Sequence, residues 1–165
     1  MKIQRCIAMC CALFLLTVGL FPNCAGAQEK KKGGSKYACD EPNPASLCNA
    51  GNTCGPSCTV DVKRTASSSS ATPNIPGAKG NQLFCIKAGT NVTWQAPDKN
   101  TGFLIDFGPN SPFDPPDAIV GGSAKPASVV AKTPGCYKYG FQASNSTAIY
   151  GMSKASQAEL IVVPQ

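Results

Sequence analysis

Gly135-Cys136-Tyr137-Lys138-Tyr139-Gly140-Phe141 carries the clearest strand pattern in this chain. Its three aromatic residues alternate with smaller or polar ones, the period-two pattern of a β-strand that buries one face. A long loop and a last apolar run, residues 159–163, follow it. We therefore predict that this stretch is an inner strand near the end of a β-sandwich.

Upstream, short alternating runs are separated by turns rich in Gly and Pro. They predict strands that begin at Thr59 and cover residues 83–87, 92–95, 103–107, 118–122 and 127–132. Residues 65–80 are expected to form an exposed loop rich in Ser, Pro and Gly, and residues 111–116 a rigid proline loop. Seven or eight short strands without a long helix favour an antiparallel Greek-key sandwich. An immunoglobulin-like sandwich is the rival, but Trp94 lacks the flanking cysteine spacing.

Two motifs resemble the blue-copper proteins, or cupredoxins. Phe84-Cys85-Ile86-Lys87-Ala88-Gly89-Thr90-Asn91-Val92-Thr93-Trp94 is similar to a strand, glycine turn and strand of that family. In the family, a segment similar to residues 135–140 leads into the copper-binding cysteine, and here Phe141 stands at that position. The resemblance covers residues 58–165. It implies an all-β fold, a Greek-key β-sandwich of the cupredoxin type, behind a disulfide-rich N-terminal arm.

The copper ligands of that family are missing. A blue-copper site needs two imidazoles and a thiolate, usually with a distant thioether, and this chain has no histidine. The first histidine would fall near Gly102 or Phe103 and the second within residues 142–150, so only Met152 resembles a ligand in place. We therefore expect no type 1 copper site and no cofactor. Phe141, Phe103 and Met152 are predicted to fill the vacated position.

Catalysis is not expected either, because the absence of histidine removes Ser-His and Cys-His nucleophile arrangements. Asp106, Asp114 and Asp117 are the nearest candidates for paired carboxylates, but turn caps and solvated strand residues are the stronger interpretation. Asn91-Val92-Thr93 and Asn145-Ser146-Thr147 match the N-glycosylation acceptor, and use of either depends on the host.

The N-terminus has the pattern of a secretory signal peptide. Lys2 and Arg5 precede an apolar run that ends at Pro22, and small residues up to Ala27 form a cleavage site. The run is too short for a membrane anchor, so residues 1–27 predict a secreted or periplasmic protein with no integral membrane segment after cleavage. Residues 28–57 form a Lys-rich and Cys-rich arm. Cleavage leaves 13 Lys and Arg against nine acids, and no aromatic residues interleave the basic ones, so nucleic-acid binding is disfavoured.

Six cysteines remain after cleavage, namely Cys39, Cys48, Cys54, Cys58, Cys85 and Cys136. An even number in an exported chain predicts disulfides, with zinc as the weaker alternative, and spacing does not choose among the 15 pairings. Alternation along the strands points Cys85 and Cys136 outward. The economical arrangement pairs them with each other and leaves four cysteines to bridge within the arm. In the alternative, each reaches to the arm.

A recognition site is the remaining functional hypothesis. The loop 142–157 is expected to lie with residues 111–116 at one end of the sandwich, where it offers Phe113, Asn145, Ser146, Tyr150 and Met152. The alternative is that these residues only close that end. We expect a secreted, non-catalytic module that binds a protein or glycan or has a structural role in the cell envelope. The other hypothesis is a copper-handling or electron-transfer-associated protein with non-His ligands.

Overall fold

The computed structural model describes residues 37–64, 68–80, 82–145, 149–151 and 158–165. All of them belong to one compact unit, Gly33–Gln165. Two 3-10 helices come first, η1 (Ala38–Asp40) and η2 (Pro44–Leu47). The strands are β1 (Ser57–Arg64), β2 (Ser69–Pro73), β3 (Phe84–Lys87), β4 (Asn91–Gln95), β5 (Gly102–Asp106), β6 (Phe113–Asp114), β7 (Ile119–Gly122), β8 (Ala127–Ala131), β9 (Gly135–Ser144), β10 (Ile149–Gly151) and β11 (Ala158–Val163). Within these ranges, no helix has the length and apolar character needed to cross a membrane.

The strands form two sheets that pack as a β-sandwich, which confirms the predicted all-β fold. The first sheet has the order β2-β1-β4-β8-β6, and the second has the order β3-β11-β9-β5-β7 with β10 beside β9. Two pairs are parallel, β1 with β4 and β3 with β11, so the sheets are not purely antiparallel as predicted. Parallel neighbours need a crossover. Here each crossover passes through the other sheet.

The core is aromatic and centres on Trp94. Its ring lies edge-on to Phe84 at 6.5 Å, to Phe107 at 6.4 Å and to Tyr139 at 5.6 Å between centroids. Phe141 is 2% exposed, as expected for the inward face of β9. Burying one such side chain contributes about 1.5–3 kcal/mol, so each of these rings stabilises the fold.

Three segments expected to be loops contain strands. β2 lies within residues 65–80, β6 within 111–116, and β10 within 142–157, where β9 also continues to Ser144. In β2, the small residues Ser69 and Ala71 face the core together with Pro73. The Ala143 N–H donates to Ser69 Oγ at 3.1 Å across the sandwich. Pro73 is tolerated because β2 is an edge strand whose outer backbone groups need no ladder partner.

The disulfides join the arm to the sandwich, so the pairing of Cys85 with Cys136 is wrong. Cys39 is bonded to Cys136, Cys48 to Cys85 and Cys54 to Cys58. The physical reason is that β11 lies between β3 and β9, where Ile161 faces both Cys85 and Cys136. Two interstrand spacings separate those cysteines by about 10 Å, which is beyond the reach of a disulfide. Each therefore bonds to the arm above it.

The arm is an integral cover of the second sheet. The Glu159 carboxylate on β11 accepts hydrogen bonds from the backbone N–H of Ala38 at 2.9 Å and of Cys39 at 3.0 Å. The Lys138 Nζ forms an ion pair with Asp40 and lies 4.5 Å from the centroid of the Tyr37 ring. Ile161 on β11 lies outside the sandwich core, yet it is only 2% exposed, because the arm covers this face of the sheet.

The same arm also protects the edge of the second sheet. Thr53 forms a parallel bridge with Cys85. The Cys85 N–H donates to the Asn52 carbonyl at 2.8 Å, and the Cys54 N–H donates to the Cys85 carbonyl at 2.9 Å. An open strand edge is a template for pairing with other chains. The arm therefore satisfies backbone groups of β3 that would otherwise be exposed.

Candidate functional site

Phe113 and Asn145, two residues of the predicted binding site, lie at opposite ends of the sandwich. Phe113 pairs with Ala131, whose N–H donates to the Thr90 carbonyl in the β3–β4 turn. Asn145 instead follows Ser144, which pairs with Gly102 at the opposite end. The prediction that they lie at the same end is therefore wrong. The reason is that β6 pairs with the part of β8 next to the β3–β4 turn, which places Phe113 at that end of the sandwich.

Phe113 is also not an exposed contact. It is 3% exposed and packs edge-on against Phe107, with ring centroids 5.2 Å apart. Asn145 is half-buried, and Tyr150 pairs through its backbone with Ala143. The predictions for Ser146, Met152 and the side chain of Tyr150 lie outside the described residues.

The three candidate carboxylates occupy separate, exposed positions. Asp106 Oδ1 accepts a hydrogen bond from the Gly108 N–H at 2.7 Å, and Asp114 lies 3.0 Å from Lys132 Nζ. Asp117 is exposed in the loop after β6. These are the contacts of turn caps and surface ion pairs rather than of converging catalytic acids.

The position of the family's copper cysteine is packed with apolar groups. Phe141 faces Ile105 across β9 and β5, while Phe103 faces Ala143 two residues further along. Among the described residues, no group of three or more His, Cys, Asp or Glu could hold a metal ion. The six cysteines there are all in disulfides, so none offers a thiolate ligand.

A polar cleft of about 500 Å³ lies on the outer face of the first sheet. We call it the Asp61 cleft. Its lining combines hydroxyl, carboxylate and amide side chains with a few apolar ones: Thr59, Asp61, Thr72, Pro73, Asn74, Ile75, Ala78 and Gln95. Such a mixture in a concave site is typical of a site that orients a polar ligand.

Strand register places the central polar groups of the cleft side by side. Asp61 on β1 faces Gln95 on β4 and Thr72 on β2. The Gln95 Nε2 donates to Asp61 Oδ1 at 2.8 Å, and Lys63 Nζ lies 3.8 Å from Asp61 Oδ2. The Asp61 side chain remains 34% exposed. It can therefore still accept hydrogen bonds from a ligand.

The connection after β2 forms the wall of the cleft. The Asn74 N–H donates to the Thr59 carbonyl at 2.7 Å, and Ile75 then turns into the core, where it is 7% exposed. The chain folds back over β2, since a Cβ on Gly80 would lie 2.9 Å from the Cβ of Ser70. Glycine is required for this close approach to β2.

Other hollows offer fewer polar side chains. Two adjoining ones at the turn end, of about 380 and 450 Å³, share Ala88, Gly89 and Gln165. A smaller hollow of about 270 Å³ lies beside Leu104 and Val120 on the second sheet. The Asp61 cleft is therefore the strongest candidate site among the described residues.

The sequence alone does not predict this cleft, although it contains a signal for it. Polar residues alternate with Val60 and Val62 along β1, and Gln95 follows Trp94 in β4. Alternation shows that these polar side chains face outward, but it does not show which strands are neighbours. The cleft appears only when β1, β2 and β4 are placed side by side.

No protein-family model matches the sequence, and no curated protein matches it. Among solved structures, one similar chain is described as a mutant of amicyanin in its oxidized form. The identity is 13% and the TM-score is 0.34, over 70% of this chain and 90% of that one. A likeness at this TM-score carries no argument about function, so the site must be judged on its own geometry.

Proposed function

We propose that this protein is a secreted, non-catalytic β-sandwich module of the cupredoxin type that binds a glycan in the Asp61 cleft. The observation that supports this proposal most is the convergence of a carboxylate, two amides and two hydroxyls in one concave surface. The cupredoxin relation itself rests on the motifs at residues 84–94 and 135–141.

Glycan recognition suits this set of groups. Sugar hydroxyls both donate and accept hydrogen bonds, so they are best matched by side chains of both kinds. The Asp61 carboxylate accepts, while the amides of Gln95 and Asn74 do both. The partly exposed Ala78 offers apolar surface to the C–H groups of a sugar ring. The volume of about 500 Å³ falls in the usual range of small-ligand sites.

A binding role is favoured over glycoside hydrolysis because the described lining of the cleft includes a single carboxylate. Glycoside hydrolysis uses a pair of Asp or Glu residues that flank the scissile bond. Among the residues described as lining this cleft, Asp61 is the one carboxylate. It can orient a sugar but has no second acid there with which to divide the roles of acid and nucleophile.

Secretion is supported by two features. Three disulfides are typical of proteins that mature in an oxidising compartment. Residues 1–27 have the charged start, apolar run and small residues of a cleavable signal. N-terminal sequencing of the exported protein tests this part of the proposal, because it shows whether cleavage occurs after Ala27.

A glycan array followed by calorimetry tests the binding itself. We expect wild-type protein to bind a subset of glycans, and Asp61→Ala and Gln95→Ala each to weaken binding at least tenfold, because each removes ligand hydrogen bonds. Gln142→Ala is the matched control, since Gln142 is an exposed amide on the other sheet. Wild-type protein that binds no glycan, or full affinity in both cleft variants, would contradict the proposal.

A further inference from the structure

A row of hydroxyl groups continues the Asp61 cleft across the first sheet. Thr59, which lines the cleft, faces Thr93 on β4, and Thr93 faces Ser128 on β8. The hydroxyls of Thr93 and Ser128 are 2.9 Å apart. Neighbouring strands lie about 4.8 Å apart, so the row extends about 10 Å from β1 to β8. We call it the hydroxyl row.

The hydroxyl row itself carries no charge, and the carboxylates in register beside it, Asp61 on β1 and Asp114 on β6, each lie close to a lysine. On the side toward the β3–β4 turn, the outward residues in register are Ser57, Asn91 and Val130. Val130 is 38% exposed and offers an apolar contact next to the hydroxyls. On the side of the row away from the β3–β4 turn, Asp61 provides a negative charge, and its Oδ2 lies 3.8 Å from Lys63 Nζ. An anionic polymer would meet that carboxylate without a matching cation along the row, so a neutral ligand fits better.

The direction of the row matters as much as its chemistry. Hydroxyls recur once per strand, at a spacing comparable to the length of one pyranose ring. A linear glycan that runs perpendicular to the strands would therefore place successive sugars over β1, β4 and β8. Each hydroxyl can both donate and accept, which suits sugar hydroxyls whose orientation changes from one sugar to the next.

We propose that the ligand is an extended, neutral polysaccharide chain, of which one sugar binds in the Asp61 cleft and the following sugars bind along Thr59, Thr93 and Ser128. This inference rests on the proposed function and adds the polymer, its neutrality and its course across the sheet. The site is then an open groove that accepts an internal segment of a chain, rather than a pocket for a single sugar.

Calorimetry with neutral oligosaccharides of increasing length tests the inference. The probes are cello-oligosaccharides and chito-oligosaccharides of two to six sugars. We expect affinity to rise with length and to level off once the chain spans β1, β4 and β8. The double variant Thr93→Val/Ser128→Ala should bind the hexamers about tenfold more weakly and the dimers unchanged, because only long chains reach the row.

A second row variant and a measurement of folding keep the outcome decisive. Ser128→Arg places a bulky side chain across the row and should reproduce the loss for hexamers, while thermal unfolding shows that each variant is folded. Equal affinity of wild-type protein for dimers and hexamers would overturn the inference of a polymeric ligand, and so would full hexamer affinity in the row variants. Neither result would contradict glycan binding in the Asp61 cleft. Preference for polygalacturonate overturns neutrality. Failure of wild-type protein to bind any probe or array glycan overturns both proposals.

Discussion

Replacing Glu159 with glutamine should loosen the arm from the second sheet. Glu159 is 8% exposed, and its two carboxylate oxygens accept separate hydrogen bonds from Ala38 and Cys39. A hydrogen bond to a charged group contributes about 1.5–3 kcal/mol. Glutamine keeps one acceptor and turns an N–H₂ donor toward the other N–H. We therefore expect Glu159→Gln to lower the free energy of unfolding by about 2 kcal/mol, and Glu159→Ala by about 3 kcal/mol.

Urea unfolding and amide hydrogen exchange measure the global and the local part of this effect. The Cys39–Cys136 disulfide still tethers the arm in the variant. Exchange should therefore accelerate most at the amides of Ala38 and Cys39, more than at core amides of β9. Asp117→Asn is the matched control, because it neutralises an exposed acid in a loop and should change stability by less than about 0.5 kcal/mol.

The reasoning would be refuted by a Glu159→Gln protein with wild-type stability and unchanged exchange at Ala38 and Cys39. That result would show that the carboxylate is not what holds η1 on the sheet. Faster exchange spread evenly over both sheets would also contradict it, since the two hydrogen bonds lie only between the arm and β11.

The remaining predictions concern the disulfides, the core and one lysine. Replacing Cys39 and Cys136 together by serine should cost about 4.3 kcal/mol, because the intact Cys48–Cys85 bridge shortens the loop of 97 residues by 37. Replacing Cys54 and Cys58 should cost about 2 kcal/mol, because that bridge spans 4 residues. Unfolding curves compare the two variants, and equal losses would contradict the loop-entropy argument. Phe141→Ala should destabilise the fold by about 3–5 kcal/mol, against less than about 0.5 kcal/mol for exposed Gln142→Ala, and a similar small loss in both would show that Phe141 is not packed. The hydrogen bond from Lys138 to Asp40 raises the pKa of Lys138, so Asp40→Asn should lower that pKa in an NMR titration. Because the folded pKa is the higher one, the stabilisation is present below the ordinary lysine pKa and is lost as the pH rises through the raised value; an unshifted titration in the variant would disprove the pairing.

The fold class and the inward faces of the main strands follow from the residue pattern of the chain. Tyr139, Phe141 and Trp94 lie in the core because side chains alternate along a strand, and that period is a local property. The same rule pointed Cys85 and Cys136 away from the core. The residue pattern does not predict strands with few apolar residues. β2 contains only Ser, Ala, Thr and Pro, so its place in the sheet depends on pairing with β1 rather than on its own pattern.

Contacts between residues distant in the chain depend on the packing of the whole fold. β11 separates Cys85 from Cys136, and the return of β6 along β8 carries Phe113 away from Asn145. The Asp61 cleft likewise needs β1, β2 and β4 as neighbours, although residues 61 and 95 are far apart in the chain. Alternation specifies a face of each strand, whereas neighbours and register depend on how all the apolar faces are buried together. The disulfide pairing and the candidate site therefore follow from the packing of the two sheets.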